Sequence, residues 1–212
     1  MKYLIHNHGR EVLWMENLLK RVSTLKYAER LKKTMDIVVC HDKNANTCSD
    51  FMDKILCMFQ TVKKEHHTIF FIGNGGSAGI AVHMTADFLK NGGIKTHSMF
   101  DVSTITCLAN DFGYEHIFGK QLKIVAEKDD IVVAISSSGN SINILNAINV
   151  ARNKECKIIT FSGFTAENKL RKLGDFNIYV PSMEYGLVES IHNMILQQIV
   201  DEIVMKDGIG LE

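Results

Sequence analysis

The sequence lacks the features that mark secreted, membrane-spanning and nucleic-acid-binding proteins. Its 212 residues carry 24 basic and 24 acidic side chains, so it offers no excess of positive charge to a polyanion. No apolar run reaches the roughly 18 residues that span a bilayer, and residues 1–10 contain no apolar stretch of signal-peptide length. These absences predict a cytoplasmic protein whose partners are neither nucleic acids nor membranes.

Cysteine and proline are scarce as well. The 5 cysteines are scattered with no CxxC pair, which is typical of reduced thiols in a cytosolic protein. Pro181 is the only proline, and no Gly/Ser-rich linker marks a domain boundary. With 46% hydrophobic residues, the chain can build its own core. We therefore expect one structural unit, made of an N-terminal segment, 1–66, and a main domain, 67–212.

The N-terminal segment is predicted to be helical. Apolar residues recur at helical spacing over 50–64, and weaker patterns indicate helices at 12–22 and 27–39. We expect this segment to pack on the core or in a homo-oligomer, because its helices and the last helix carry more apolar surface than one sheet face can cover.

The main domain alternates short apolar runs with helix-like segments. Strands are predicted at 68–72, 96–100, 131–135, 157–161 and 176–180, and helices at 78–90, 116–125, 142–153, 167–173 and 187–205. This alternation predicts an α/β fold, with helices on both faces of a parallel sheet.

Two polar loops follow predicted strands, at 73–77 and 136–141, and each precedes a helix. Ligands of open parallel sheets bind beyond the carboxyl ends of the strands, where helix N-termini present free N–H groups to anions. Each loop alone fits a tight turn with a serine cap. Two such loops in one small sheet, one rich in serine hydroxyls, favour an anion site. Because both the dinucleotide fingerprint and the nucleotide P-loop are absent, a sugar phosphate is the favoured ligand.

His83 and Asp87 lie four residues apart on the helix after the first loop. This spacing places both side chains on one helix face, where they can bind one divalent metal. The alternative is a buried histidine and a surface acid on an ordinary helix.

The two loops and a third segment, 110–113, also carry a family resemblance. Gly73-Asn74-Gly75-Gly76-Ser77, Asn110-Asp111-Phe112-Gly113 and Ser136-Ser137-Ser138-Gly139-Asn140-Ser141 resemble the SIS (sugar isomerase) domain, in its phosphoheptose isomerase branch. The resemblance implies a flavodoxin-like three-layer α/β/α sandwich with a five-stranded parallel sheet. It further implies a zinc-bound homotetramer that interconverts sedoheptulose 7-phosphate and a heptose 7-phosphate for lipopolysaccharide or capsule synthesis.

The resemblance also assigns roles to residues. The substrate-binding set is Asn74, Gly75, Gly76, Ser77, Asn110, Asp111, Ser136, Ser137, Ser138, Ser141 and Glu189, in which the serines at 77, 136, 138 and 141 hold the phosphate. The metal set is His83, Asp87, Glu189 and Gln197, with Asp87 also acting as the general base.

The chain departs from the family at the metal set. The family has Glu where Asp87 stands, Gln where Glu189 stands, and a catalytic His where Gln197 stands. Gln197 cannot exchange protons near neutral pH, so His192 is the candidate replacement acid, or else a structural histidine at a subunit contact. A non-catalytic phosphosugar-binding protein, a sensor or a docking module, is therefore the alternative to an isomerase.

Overall fold

The computed structural model describes residues 24–43 and 50–208, so the helix predicted at 12–22 lies outside the described residues. The helices are α1 (Thr24–Met35), α2 (Phe51–Glu65), α3 (Gly76–Lys90), α4 (Val102–Phe112), α5 (Ile117–Val125), α6 (Ile142–Asn153) and α7 (Tyr185–Lys206). The strands are β1 (Val39–Asp42), β2 (Ile69–Gly73), β3 (Thr96–His97), β4 (Ile131–Ser136), β5 (Lys157–Ser162) and β6 (Phe176–Tyr179).

The strands form one six-stranded sheet in the order β1-β6-β5-β4-β2-β3. Strands β2 to β6 pair in parallel, whereas β1 joins the edge antiparallel to β6. The predicted α/β class is confirmed, with one strand more than the five expected.

Alternate residues of each central strand face two separate apolar cores. Ile131, Val133 and Ile135 of β4 pack against α2, α3 and α7. Val132 and Ala134 face the opposite core, formed with α5 and α6. The sheet therefore lies between two helical layers, and its central strands are buried on both faces, as their nearly continuous apolar sequences predict.

The prediction of a helix over 27–39 was wrong at its end, and the N-terminal segment is not helical throughout. Helix α1 ends at Met35, and Val39–Asp42 forms the edge strand β1. The consecutive β-branched residues Ile37, Val38 and Val39 favour an extended backbone over a helix.

Two further differences concern short elements. Helix α4 was not predicted, although Asp101 caps it by accepting a hydrogen bond from the Thr104 N–H at 2.8 Å. The helix predicted at 167–173 is only a single 3₁₀ turn, Leu170–Lys172. There the Asn168 side chain donates hydrogen bonds to the carbonyls of Gly163 and Thr165, and these bonds stabilise a loop.

The order of the strands determines where a ligand can bind. Strands β2 and β4 are neighbours, but the helices that follow them, α3 and α6, pack on opposite faces of the sheet. The chain thus leaves these two strand ends in opposite directions, which opens a crevice between the loops 73–77 and 136–141.

None of the helices in the described part of the chain is long and apolar enough to cross a membrane. The cysteines that the structure describes, Cys40, Cys57, Cys107 and Cys156, are free thiols. Burial raises the pKa of both Cys40 and Cys156 to about 11, so these two thiols are protonated at neutral pH.

Candidate functional site

A cleft of about 410 Å³ lies at the crevice between β2 and β4. Its lining residues come from the two polar loops and the first turn of α7: Asn74, Gly75, Gly76, Ser77, Ser136, Ser137, Ser138, Ser141, Tyr185 and Glu189. The structure therefore brings together nine of the eleven residues in the predicted substrate-binding set.

The serine loop presents a cluster of hydroxyl groups. The Oγ atom of Ser136 lies 3.5 Å from that of Ser138 and 3.3 Å from that of Ser141. These distances exceed the usual 2.7–2.8 Å for hydroxyl pairs, so the hydroxyls bond only weakly to one another. They remain able to donate to the oxygens of an anion between them.

The glycine loop supplies the opposite wall of the cleft. Gly75 has a φ of +55° and a ψ of −122°, a conformation that side chains with a Cβ avoid. This turn starts α3 at Gly76 and places buried Ser77 in its first turn. This helix end, with its free N–H groups, therefore lines the same cleft as the serine hydroxyls, an arrangement that favours a phosphate.

Among residues 24–43 and 50–208, Glu189 is the only carboxylate that lines the cleft. Its carboxylate lies directly against Gly76, where any Cβ would clash with both of its oxygens. Burial raises the pKa of Glu189, and no hydrogen bond or ion pair to a described residue contributes to that shift. A carboxylate with free oxygens in a concave site can accept a proton from a bound ligand.

The first turn of α7, one turn before Glu189, is held by α1. The Arg30 guanidinium forms an ion pair with Glu184, the residue that precedes α7. The Tyr27 hydroxyl packs so closely on Gly186 that a Cβ there would lie 2.8 Å from it. Helix α1 therefore helps to position this wall of the cleft.

His83 and Asp87 do not line the cleft. They lie about 10 and 16 Å along the α3 axis from Gly76. The His83 Nε2 is 3.1 Å from one Asp87 oxygen, and the other oxygen accepts a hydrogen bond from Asn91 at 3.4 Å. The pair thus lies on one helix face, as predicted, but outside the cleft of its own chain.

The structure does not bring the predicted metal ligands together. Within residues 24–43 and 50–208, no group of three or more His, Cys, Asp or Glu side chains could hold a metal ion. Glu189 therefore does not join His83 and Asp87, and Gln197, two turns further along α7, is half-buried outside the cleft.

The proposal of His192 as a replacement acid does not agree with its environment. His192 is fully buried between α7 and the sheet, with its ring edge-on to Phe161 at 5.5 Å. Its Nε2 donates to the Ser162 carbonyl at 3.1 Å, and its pKa is lowered to about 4 by burial. A neutral imidazole without access to the cleft cannot protonate a substrate. His192 is therefore a structural histidine in the core of its own chain, and a role at a subunit contact stays a prediction.

Asn110 and Asp111 are exposed at the end of α4 and do not line the cleft. Asn110 donates a hydrogen bond to the Asp111 carboxylate at 2.9 Å. The same segment reaches the site through Tyr114, whose hydroxyl donates to the Asn74 side chain at 2.9 Å.

Sequence reasoning missed three residues in or next to the cleft: Tyr114, Asn143 and Tyr185. Tyr185 lies four residues before Glu189, so helical spacing alone places it on the same face. Asn143 belongs to the first turn of the helix that follows the serine loop and is 1% exposed. The sequence shows that this position is polar, but the contact of Asn143 with Asn74 depends on the pairing of β2 with β4 and cannot be predicted from a local pattern.

Comparisons with known proteins match the fold and most of the chain. The family model of the SIS domain matches residues 26–163. A phosphoheptose isomerase of Histophilus somni is 36% identical over 143 residues, covering 65% of this chain and 73% of its own. One of Helicobacter pylori is 28% identical over 193 residues, covering 88% and 94%.

The solved structure of a phosphoheptose isomerase from Neisseria gonorrhoeae superposes with a TM-score of 0.75 at 25% identity. The match covers 88% of this chain and 98% of that one.

Proposed function

We propose that this chain, which belongs to the phosphoheptose isomerase branch of the SIS domain family, interconverts sedoheptulose 7-phosphate and a heptose 7-phosphate. The observation that carries the proposal is the cleft itself. It combines a serine cluster and a helix N-terminus, suited to a phosphate, with one carboxylate suited to proton transfer.

The reaction needs a single base at the reacting carbons. In the ketose-to-aldose direction, a base takes a proton from C1 while the C2 carbonyl accepts the electron pair, which gives an enediolate. The base then returns its proton to C2, while the proton of the C1 hydroxyl passes to the C2 oxygen. The product is the aldose, and the base returns to its starting state.

Glu189 is our candidate for that proton transfer. It lies in the same cleft as the phosphate-binding loops, and its oxygens bind no described side chain. Asp87, the base implied by family resemblance, lies outside the cleft and has a partner on each oxygen. Within one protomer, Glu189 is therefore the better candidate.

Zinc enters the proposal only through a second copy of the chain. His83 and Asp87 provide two donors, but a zinc site needs three or four ligands. The described residues of one protomer therefore do not make a zinc site, and the proton transfer described above does not depend on zinc. If zinc binds at His83, we expect another protomer to supply the donors that the described residues lack, and the zinc content should then fall when the oligomer dissociates.

A homo-oligomer, proposed to be a tetramer, is supported by the surface of α4. This apolar helix contains no buried residue, and Val102 and Phe112 are 74% and 48% exposed. A second copy packed on this face would bury them. Light scattering at micromolar concentration should give a multiple of 23.9 kDa, and a monomer mass would exclude the tetramer.

The compartment and the pathway of the reaction are also proposals. Its product is a heptose 7-phosphate, which suits a cytoplasmic enzyme that supplies heptose for surface polysaccharide. The scattered free thiols support a reducing compartment.

The decisive experiment incubates the protein with sedoheptulose 7-phosphate and follows aldose formation by NMR, with and without zinc. Glu189→Gln should lower kcat by about 10² to 10⁴, the usual contribution of a general base. Asp87→Asn is the matched carboxylate-to-amide control and should retain most activity. The opposite result would assign the base to Asp87 of a neighbouring protomer. Binding without turnover in the wild type would leave a phosphosugar-binding protein instead.

A further inference from the structure

The side chain of Asn74, in the glycine loop, is held by a hydrogen-bond network that the proposed reaction does not explain. Its Nδ2 donates to Asn143 Oδ1 at 2.9 Å, and its Oδ1 accepts from Asn143 Nδ2 at 2.8 Å. The Tyr114 hydroxyl is a second donor to the same Oδ1, at 2.9 Å. Three elements therefore meet at one amide: the glycine loop, the start of α6 and the turn after α4.

The orientation of both amides follows from one backbone group. The N–H of Ile144 donates to Asn143 Oδ1 at 3.0 Å, and an N–H can bond only to the oxygen end of an amide. This bond fixes the oxygen of Asn143, which in turn requires the nitrogen of Asn74 opposite it. The oxygen of Asn74 then faces the Asn143 nitrogen, and the Tyr114 hydroxyl must be the donor of their shared bond.

This orientation determines what Asn74 can offer a ligand. Its oxygen already accepts two hydrogen bonds, from Asn143 and Tyr114, which occupy both lone pairs. Its nitrogen donates one bond to Asn143 and keeps one N–H unused. Because Asn74 lines the cleft, the hydrogen-bonding capacity that it has left for a ligand is that of a donor.

We propose that Asn143 and Tyr114 are positioning residues, which lock Asn74 as a pure hydrogen-bond donor to an acceptor oxygen of the sugar chain. In the proposed isomerisation, this acceptor is a carbonyl or enediolate oxygen, which accepts hydrogen bonds and does not donate them. The catalytic role of this donor rests on the proposed function, whereas its role in binding rests on the cleft alone.

The burial of the two residues is consistent with this role. Asn143 is 1% exposed and gains two bonds from the reciprocal amide pair, so a different orientation of Asn74 would leave buried polar atoms unsatisfied. Tyr114 is 53% exposed, and its ring makes little contribution to the core. Removing its hydroxyl therefore tests the lock without removing a buried side chain.

The test is a double-mutant cycle between Tyr114→Phe and Asn74→Ala, read by calorimetric titration with sedoheptulose 7-phosphate and with inorganic phosphate. Tyr114→Phe should weaken sugar phosphate binding about three- to tenfold, the effect of one neutral hydrogen bond. It should leave the affinity for inorganic phosphate unchanged, because the serine cluster holds that ion. In the Asn74→Ala background, the same substitution should have no effect.

Tyr179→Phe, which removes a hydroxyl bonded to the Phe164 carbonyl outside the cleft, is the matched control and should change neither affinity.

Three results would overturn the proposal: unchanged affinity for the sugar phosphate in Tyr114→Phe, an equal loss for inorganic phosphate, or the same loss with and without Asn74. A wild type that binds sedoheptulose 7-phosphate but forms no aldose would refute the proposed function alone, since the cycle is measured on affinity. With an active wild type, kcat/KM should show the same non-additivity.

Discussion

The buried His192 makes the stability of this fold dependent on pH. Its Nε2 must carry the hydrogen, because it faces the Ser162 carbonyl at 3.1 Å and a carbonyl can only accept. Its Nδ1 is buried without a partner among the described residues. A proton added at Nδ1 would therefore place an unpaired charge in the core between α7 and the sheet.

The size of the effect follows from proton linkage. Burial lowers the pKa of His192 from 6.5 to about 4, so the unfolded chain binds a proton in this window that the folded chain does not. Stability contributed by the neutral imidazole is complete above pH 6.5 and is lost as the pH falls toward 4. Between pH 7.5 and 5, linkage gives a loss of about 2 kcal/mol from this residue alone.

The assay compares the wild type with His192→Gln in thermal unfolding at several pH values and one protein concentration. Glutamine keeps an N–H for the Ser162 carbonyl but cannot take up a proton. Over that range, the wild type should lose about 4–8 °C more in Tm than the variant, at 2–4 °C per kcal/mol for a chain of this size.

Equal slopes for His192→Gln and the wild type would refute the linkage argument. If the glutamine variant does not fold, an NMR titration of the wild type decides the question, because one histidine should stay neutral down to about pH 5.

Three further predictions concern the loops of the cleft. Ser136→Ala combined with Ser138→Ala should weaken phosphate binding by several kcal/mol at most, since each hydrogen bond to a charged group contributes about 1.5–3 kcal/mol. Calorimetry measures the affinity, and an unchanged value would show that this loop does not bind the phosphate. Gly76→Ala should displace the Glu189 carboxylate, so kcat should fall while Tm and phosphate affinity change little, and an unchanged kcat would argue against proton transfer by Glu189. Gly139→Ala introduces a Cβ at a φ of +61°, so denaturant unfolding should show a loss of more than about 1 kcal/mol, and full stability would contradict the strain.

The sequence predicts the central sheet well because its strands are buried on both faces. The runs at 68–72 and 131–135 are apolar nearly throughout, and they coincide with β2 and β4 to within one residue. The edge strand β1 was missed for the opposite reason. It is four residues long, is only half-buried, and depends on pairing with β6, which lies more than 130 residues further along the chain.

The cleft could be predicted as two loops but not as one enclosed site. Periodicity placed both loops at strand ends, and the parallel-sheet rule brought those ends to one edge. Which side chains then face the ligand depends on tertiary packing. Asn110 and Asp111 are exposed and do not line the cleft, whereas Tyr114 of the same segment donates a hydrogen bond to Asn74 in it. The helical spacing of His83 and Asp87 was correct, but no sequence pattern shows that α3 carries them away from the cleft of its own chain.

The phosphate-binding loops and the cleft carboxylate belong to different elements of the fold, so a substitution can affect one without the other. In the proposed site, the phosphate contacts come from loops that follow β2 and β4, two strands without an exposed residue. The cleft carboxylate comes from α7, whose first turn is held by the Arg30–Glu184 ion pair at the surface. A substitution in α7 can therefore abolish proton transfer and leave phosphate binding intact. Because the two properties separate in this way, an affinity for phosphate cannot distinguish an isomerase from a phosphosugar-binding protein, and only aldose formation from the ketose can.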